Sequence, residues 1–238
     1  MGAVHVQDLT LVRGIGHTRA TLADWNERPG AVLMRWSLAS VAIAALLLGA
    51  VWIVALLATP DPTPHLLIGL SAPPSAADVA HVLTRNSLVL ALHAFACVAG
   101  YLAGSALPHE AARRSGAWRR VHDVAGPLAI AFVSAATLFS LTTQAYVLGN
   151  ATATLSAQLG VSPAHFLLGL LPHALLELWA LFLPLAAWLI ASRRRAWQEL
   201  FAATLVTTAI AIPALVIASL VEVYVSPHLV GSLAGYYT

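Results

Sequence analysis

Residues 41–58 read VAIAALLLGAVWIVALLA, eighteen positions without a charge. As an α-helix this run is about 27 Å long, close to the roughly 30 Å of a bilayer's hydrocarbon core. Extended back to Leu33, the apolar block runs from Leu33 to Ala58 and is long enough to cross a membrane. Four further blocks have the same character: Ser87 to Leu107, Gly126 to Leu148, Ala164 to Ser192 and Leu200 to Val225. The composition agrees with them. Of 238 residues, 59% are hydrophobic and 9% charged, with a mean hydropathy of +0.81. A soluble domain carries about 25% charged residues, because its surface must face water. The chain therefore reads as an all-α, polytopic membrane protein with about five transmembrane helices.

The basic residues support that count. There is no lysine, and eleven of the twelve arginines fall on one side of the predicted alternation. Arg13, Arg19, Arg28 and Arg35 precede or open the first block. Arg113, Arg114, Arg119 and Arg120 lie between the second and third, and Arg193, Arg194 and Arg195 between the fourth and fifth. Only Arg85 falls on the other side. The positive-inside rule then predicts the N-terminus in the cytoplasm and the C-terminus outside. The organisation expected is a cytoplasmic N-terminal segment over residues 1–32, a transmembrane domain over 33–225 and an exterior tail over 226–238. Residues 1–32 are mixed and polar, so no cleavable signal is expected there. Leu9, Val12, Leu22 and Trp25 are spaced as anchors for an amphipathic helix, which Gly14 and Gly16 weaken. Thr59-Pro60-Asp61-Pro62-Thr63-Pro64 forbids regular structure at the start of the first exterior loop. Ser75 and Asp78 then resemble a capping box, with Val79, Val82 and Leu83 on one face. That spacing predicts a short amphipathic helix over about 75–85, lying along the outer surface. Residues 149–163 read as a small uncharged loop. The tail is uncharged, and Tyr224 just before it, with Tyr236 and Tyr237 in it, are suited to a membrane interface.

Several function classes are disfavoured. A net charge of +2 with no basic-aromatic stripe gives no reason to expect a nucleic-acid partner. Cys97 is the single cysteine, so no intrachain disulfide can form, and its apolar block makes it a buried hydrophobe. No serine, cysteine or paired-aspartate arrangement of hydrolytic type stands out, and no cofactor motif is present.

Ionisable residues inside spans are costly and therefore informative. They are His93 in the second span, His165, His173 and Glu177 in the fourth, and Glu222 in the fifth. His173 and Glu177 share a helix face, about 6 Å apart. By depth, His93, His173, Glu177 and Glu222 fall in one half of the membrane and converge if their spans are neighbours. Such a polar cluster can clamp helices together, form a protonatable or ion-binding path, or hold a metal. The ligand types at His93, His173, Glu177 and Glu222 suit a metal, although the zincin motif is absent. Pro184 and Pro213 each remove a backbone donor within a span, and packing is the reading favoured for them. Ala96, Gly100 and Gly104 form a small-residue strip that favours close helix contact, within the chain or between subunits.

Leu171-Pro172-His173-Ala174-Leu175-Leu176-Glu177-Leu178 resembles the Pro-His-Gly-x-x-Glu-Leu signature of the stage II sporulation protein M family of bacterial and archaeal membrane proteins. The stretch from Asn86 to Gly104 is similar to that family's asparagine followed by a glycine-bearing apolar helix. Glu222-Val223-Tyr224-Val225-Ser226-Pro227 is similar to its acidic close to the last helix. The resemblance extends over roughly residues 35–230. It departs at Ala174, where the family has glycine, and at Thr143-Gln144-Ala145, where an Asn-Gly pair is expected, while Gly149 is kept. Asn86, Pro172, His173, Glu177 and Glu222 are the signature positions it implies.

The resemblance implies membership of a membrane complex more than catalysis. The expectation is a non-enzymatic scaffold or accessory subunit of a cell-envelope complex in the bacterial cytoplasmic membrane, possessing no cofactor. Its expected partners are the lipid bilayer and other membrane or envelope proteins, or further copies of itself. The alternative is a small permease or transporter subunit using Glu177 and His173. A metal-dependent membrane enzyme is a third reading.

Overall fold

Pro29 opens the first long apolar helix at a position where its missing N–H costs nothing. A computed structural model describes residues 10–63, 72–107 and 115–235. Helix α1 spans Thr10–Glu27, α2 Pro29–Leu57, α3 Ala76–Tyr101, α4 Gly116–Gln158, α5 Pro163–Arg194, α6 Leu200–Tyr224 and α7 Ser226–Leu233. A π-helical turn, Leu102–Ala106, continues α3, and a 3-10 turn, Trp197–Glu199, leads into α6. Five of these helical stretches are long and apolar enough to cross a membrane, as the sequence reading required.

Helix α5 is the hub and packs on α2, α3, α6 and α7. Its most apolar stretch is 61% buried, against 6% for that of α4. The main core joins Leu47 and Val51 of α2, Leu90 and Cys97 of α3, and Phe182 and Leu185 of α5 to Leu215 of α6. Without a hydrophobic drive between helices in lipid, close packing and polar contacts must hold such a bundle. Three side chains reach the α5 backbone around Pro184. Ser40 Oγ donates to the Trp179 carbonyl at 2.6 Å, His93 Nδ1 to Leu181 at 2.9 Å, and Cys97 Sγ to Pro184 at 3.1 Å. Pro184 loosens the turn before it, and the Leu181 carbonyl that His93 reaches lies in that turn.

The small-residue strip of α3 works within the chain. Ala96 is buried. A Cβ on Gly100 would lie 2.8 Å from Leu200 and Trp188 atoms, and one on Gly104 would lie 2.2 Å from the Trp197 ring. Glycine is what lets these indoles seat against the helix.

Several boundaries differ from the sequence reading. The capping box is present, with Ser75 accepting from the Asp78 N–H and Asp78 accepting from the Ser75 N–H. The helix it starts is not a separate surface segment over 75–85. It runs unbroken into the second span, with Val82 buried in the bundle. Thr84, Arg85, Asn86 and Ser87 are polar, yet none of them breaks a helix. Residues 149–163 are not a loop either, because α4 continues to Gln158. It ends in a Schellman motif: Gly160 has φ +70°, its N–H reaches the Ala157 carbonyl, and the Val161 N–H reaches Ser156. Thr59 to Thr63 are irregular, as the prolines demand, and the Asp61 N–H is held by Thr154. The tail beyond Ser226 is a helix, α7, packed on α5 and α6. Tyr236 and Tyr237 lie outside the described residues.

Helix α1 forms where the amphipathic spacing put it and lies against the bundle. Leu22 and Trp25 are half-buried, Trp25 meets the Trp36 ring edge-on at 5.0 Å, and Gly14 sits against Tyr101 and Phe201. The glycine that weakened the sequence reading is thus the close-contact point. Leu9 and the Val12 side chain are outside the described residues. Arg35 and Arg194 border one small cavity, so the arginines opening α2 and closing α5 share an end of the bundle.

Candidate functional site

At the opposite end, α2, α3, α5, α6 and α7 and the last turns of α4 enclose a cavity of about 350 Å³. Its walls are apolar, with Val51, Phe166, Leu178 and Val230 among them. Arg85, His173, Glu177, Glu222, Ser226 and Thr152 supply polar groups. The helical period brings His173 and Glu177 to one face of α5. Helix α6 runs antiparallel beside it and brings Glu222 to the same level. One ligating atom from each of His173, Glu177 and Glu222 lies within 4.8 Å of the others.

The tail helix completes the arrangement. Ser226 stands at the sharp α6–α7 junction, and its hydroxyl pairs with His173 Nδ1 at 2.5 Å. Gly169, one turn before His173, lets α7 approach: a Cβ there would lie 2.7 Å from a Val230 methyl. Asn86 of α3 is buried beside the Glu177 carboxyl. Its Nδ2 has no partner in full hydrogen-bond geometry, so the contact with Glu177 is a loose one. Arg85, the preceding residue, is exposed at the rim and lies within electrostatic reach of both glutamates.

Two carboxyl groups face each other in an apolar wall. Two full negative charges about 5 Å apart repel by roughly 3 kcal/mol at an effective dielectric of about 20. The pair is therefore stable only with positive charge between or beside the carboxyls, in the form of a proton, a cation or the Arg85 guanidinium.

Three of the four residues in the expected polar cluster thus converge. His93 does not join them. It is 1% exposed, turns to the Leu181 carbonyl and packs on Phe182 with ring centroids 5.5 Å apart. Leu181 lies a full turn beyond Glu177, and His93 is absent from the cavity wall. The depth estimate gave its level only roughly, and the helix face decided the outcome. His165 pairs with Ser162 at the exposed start of α5 and belongs to the helix cap. Pro172 is exposed on the far side of α5, in an apolar groove against Val41 of α2. Sequence reading missed Ser226 and Thr152. Ser226 precedes a proline and opens an i+3, i+4, i+7 apolar spacing (Leu229, Val230, Leu233), which was the available signal for a helix there.

Fold and site together define a polytopic helical membrane protein with a mixed histidine–glutamate cavity at one end of its bundle. Residues 124–227 match a family model described as Stage II sporulation protein M. That segment takes in His173, Glu177, Glu222 and Ser226, and Pro227 is its last residue. Asn86 lies outside the match, but stands against Glu177 in space. The chain finds no match among curated proteins or solved structures.

Proposed function

We propose that this chain is a non-enzymatic integral membrane scaffold or accessory subunit of a cell-envelope complex. It would lie in a bacterial cytoplasmic membrane with the N-terminus inside and the C-terminus outside. The observation that carries the reading is α4. Its most apolar stretch is 6% buried, whereas those of the other four spans are 28% to 61% buried. The helix is 43 residues long, about 65 Å, roughly twice the hydrocarbon thickness. Lipid tails can cover Leu128, Phe132, Leu138 and Phe139, all exposed. On the same stretch, however, Ala131, Ser134, Ala135 and Thr142 are also exposed. Small and hydroxyl side chains are the ones that helix–helix contacts in membranes favour. A partner helix on this face fits the family's association with membrane complexes. Mild extraction of a tagged chain, with size analysis and identification of what co-purifies, tests the reading. Partners in a fixed ratio are expected; a chain that runs alone would contradict it.

The cavity favours a second reading, a small permease or transporter subunit in which Glu177 takes up a proton or ion beside His173. Glu177→Gln keeps the shape and removes the charge. On this reading it abolishes pH-dependent flux in reconstituted vesicles; unchanged flux would eliminate it.

A further inference from the structure

We infer that His173, Glu177 and Glu222 form a binding site for one divalent transition-metal cation of the zinc or manganese class. The site stands on its own geometry and needs neither reading of the function. Three ligating atoms of mixed type already lie within 4.8 Å of one another. A shared ion at 2.0–2.2 Å from imidazole nitrogen and carboxylate oxygen needs donors that can close to about 3–4 Å of each other. Rotation about the glutamate side chains supplies that adjustment, because the carboxylates border an open cavity of about 350 Å³ and not packed atoms.

Two further features point to a ligand. The first is Asn86, a polar side chain only 6% exposed, set against Glu177 with its Nδ2 unpartnered. Amide nitrogen and oxygen are assigned from the surrounding hydrogen bonds. Here only the loose contact with Glu177 bears on them, and the reversed amide turns its oxygen to the cluster as a fourth ligand. The second is Ser226. With His173 Nδ1 donating to the Ser226 hydroxyl, Nε2 keeps its lone pair for an ion. Metal-bound histidines usually have their other nitrogen held in this way, which fixes ring orientation and tautomer.

The choice of metal follows from the donors. An imidazole nitrogen beside carboxylate oxygens suits zinc, manganese or ferrous iron, whereas calcium and magnesium prefer oxygen alone. A divalent cation also offsets the mutual repulsion of Glu177 and Glu222, and Arg85 at the rim limits the site to one ion.

The test uses the full chain in detergent or lipid nanodiscs, stripped with a chelator and then titrated with Zn2+ and, separately, with Co2+ as a spectroscopic probe. One ion per chain is expected, with Co2+ giving visible bands characteristic of nitrogen and oxygen ligands. Glu177→Gln and Glu222→Gln should each weaken binding at least tenfold, and Ser226→Ala about tenfold through the freed imidazole. His165→Ala, at the exposed helix start, should leave binding unchanged. Wild-type chain that is monodisperse yet holds no Zn2+ or Co2+ at micromolar concentration overturns the site. So does binding that survives both glutamine substitutions. If the variants do not fold, the wild-type stoichiometry and Co2+ spectrum decide alone: one ion with a nitrogen-ligand signature upholds the site, and anything else overturns it. Failure here would leave the partner measurement standing.

Discussion

His173 and Glu177 are one helical turn apart, so any helical reading of residues 171–178 puts them on one face. Glu222 is 45 positions beyond Glu177, and only the antiparallel return of α6 brings it alongside. Depth counting from the arginine pattern captured that return, because depth depends on rise per residue alone. It placed His93 too generously, because which way a helix face turns depends on packing that no single span encodes. His93 instead braces α5 near Pro184, and its side chain is almost wholly buried. Replacing it with alanine removes that hydrogen bond and leaves a void. Membrane hydrogen bonds contribute modestly, so most of the loss comes from packing. His93→Ala should therefore destabilise the bundle by roughly 2 kcal/mol, read as a lower unfolding temperature in detergent. Leu88→Ala, on an exposed position of the same helix, should change little. Equal effects from the two would show that His93 is not a brace.

The length of an element was easier to read than its ends. All five apolar blocks became helices because apolar length is a coarse, summed property. Helix ends depend on single residues. Gly160 supplied a left-handed stop that the sequence displays, and reading 149–163 as a loop overlooked the helix formers before it. Arg195, by contrast, ends α5 in the left-handed region at φ 56° with no glycine to announce it. The fusion of the 75–85 segment with the second span was hidden by polar residues that do not break helices. The strip in α3 was legible as a close-contact face, and its partners, Trp188, Leu200 and Trp197, were not. Valine at Gly104 would drive its side chain into the Trp197 ring. Gly104→Val should cost about 1–3 kcal/mol as overpacking. Gly49→Ala, where an added Cβ meets nothing within 4 Å, should be neutral or stabilising by up to about 1 kcal/mol. Thermal unfolding of the two variants side by side checks this, and a tolerated valine would mean the α3–Trp197 contact is loose.

At the scale of the whole molecule the bundle is uneven. Helices α2, α3, α5 and α6 share a core, α1 and α7 close its two ends, and α4 packs mainly along α2 while its most apolar stretch stays largely uncovered. Gly149 against Val54 and Gly126 against the Ala103 carbonyl mark two of those close approaches. The sequence could not reveal this asymmetry, because a lipid-facing residue and a partner-facing residue are equally apolar. What distinguishes them is a run of small and hydroxyl side chains left uncovered, which becomes visible only once the rest of the chain is placed. On the proposed reading, α4 presents this face to another membrane protein. A decisive test replaces Ala131 and Ala135, both exposed, with leucine in a tagged chain and compares native extracts with the unaltered chain. A larger complex of fixed stoichiometry is expected for the unaltered chain, and its loss in the double variant while the monomer remains folded and in the membrane. An unaltered chain that migrates as a single copy, or a complex indifferent to both substitutions, would contradict that reading.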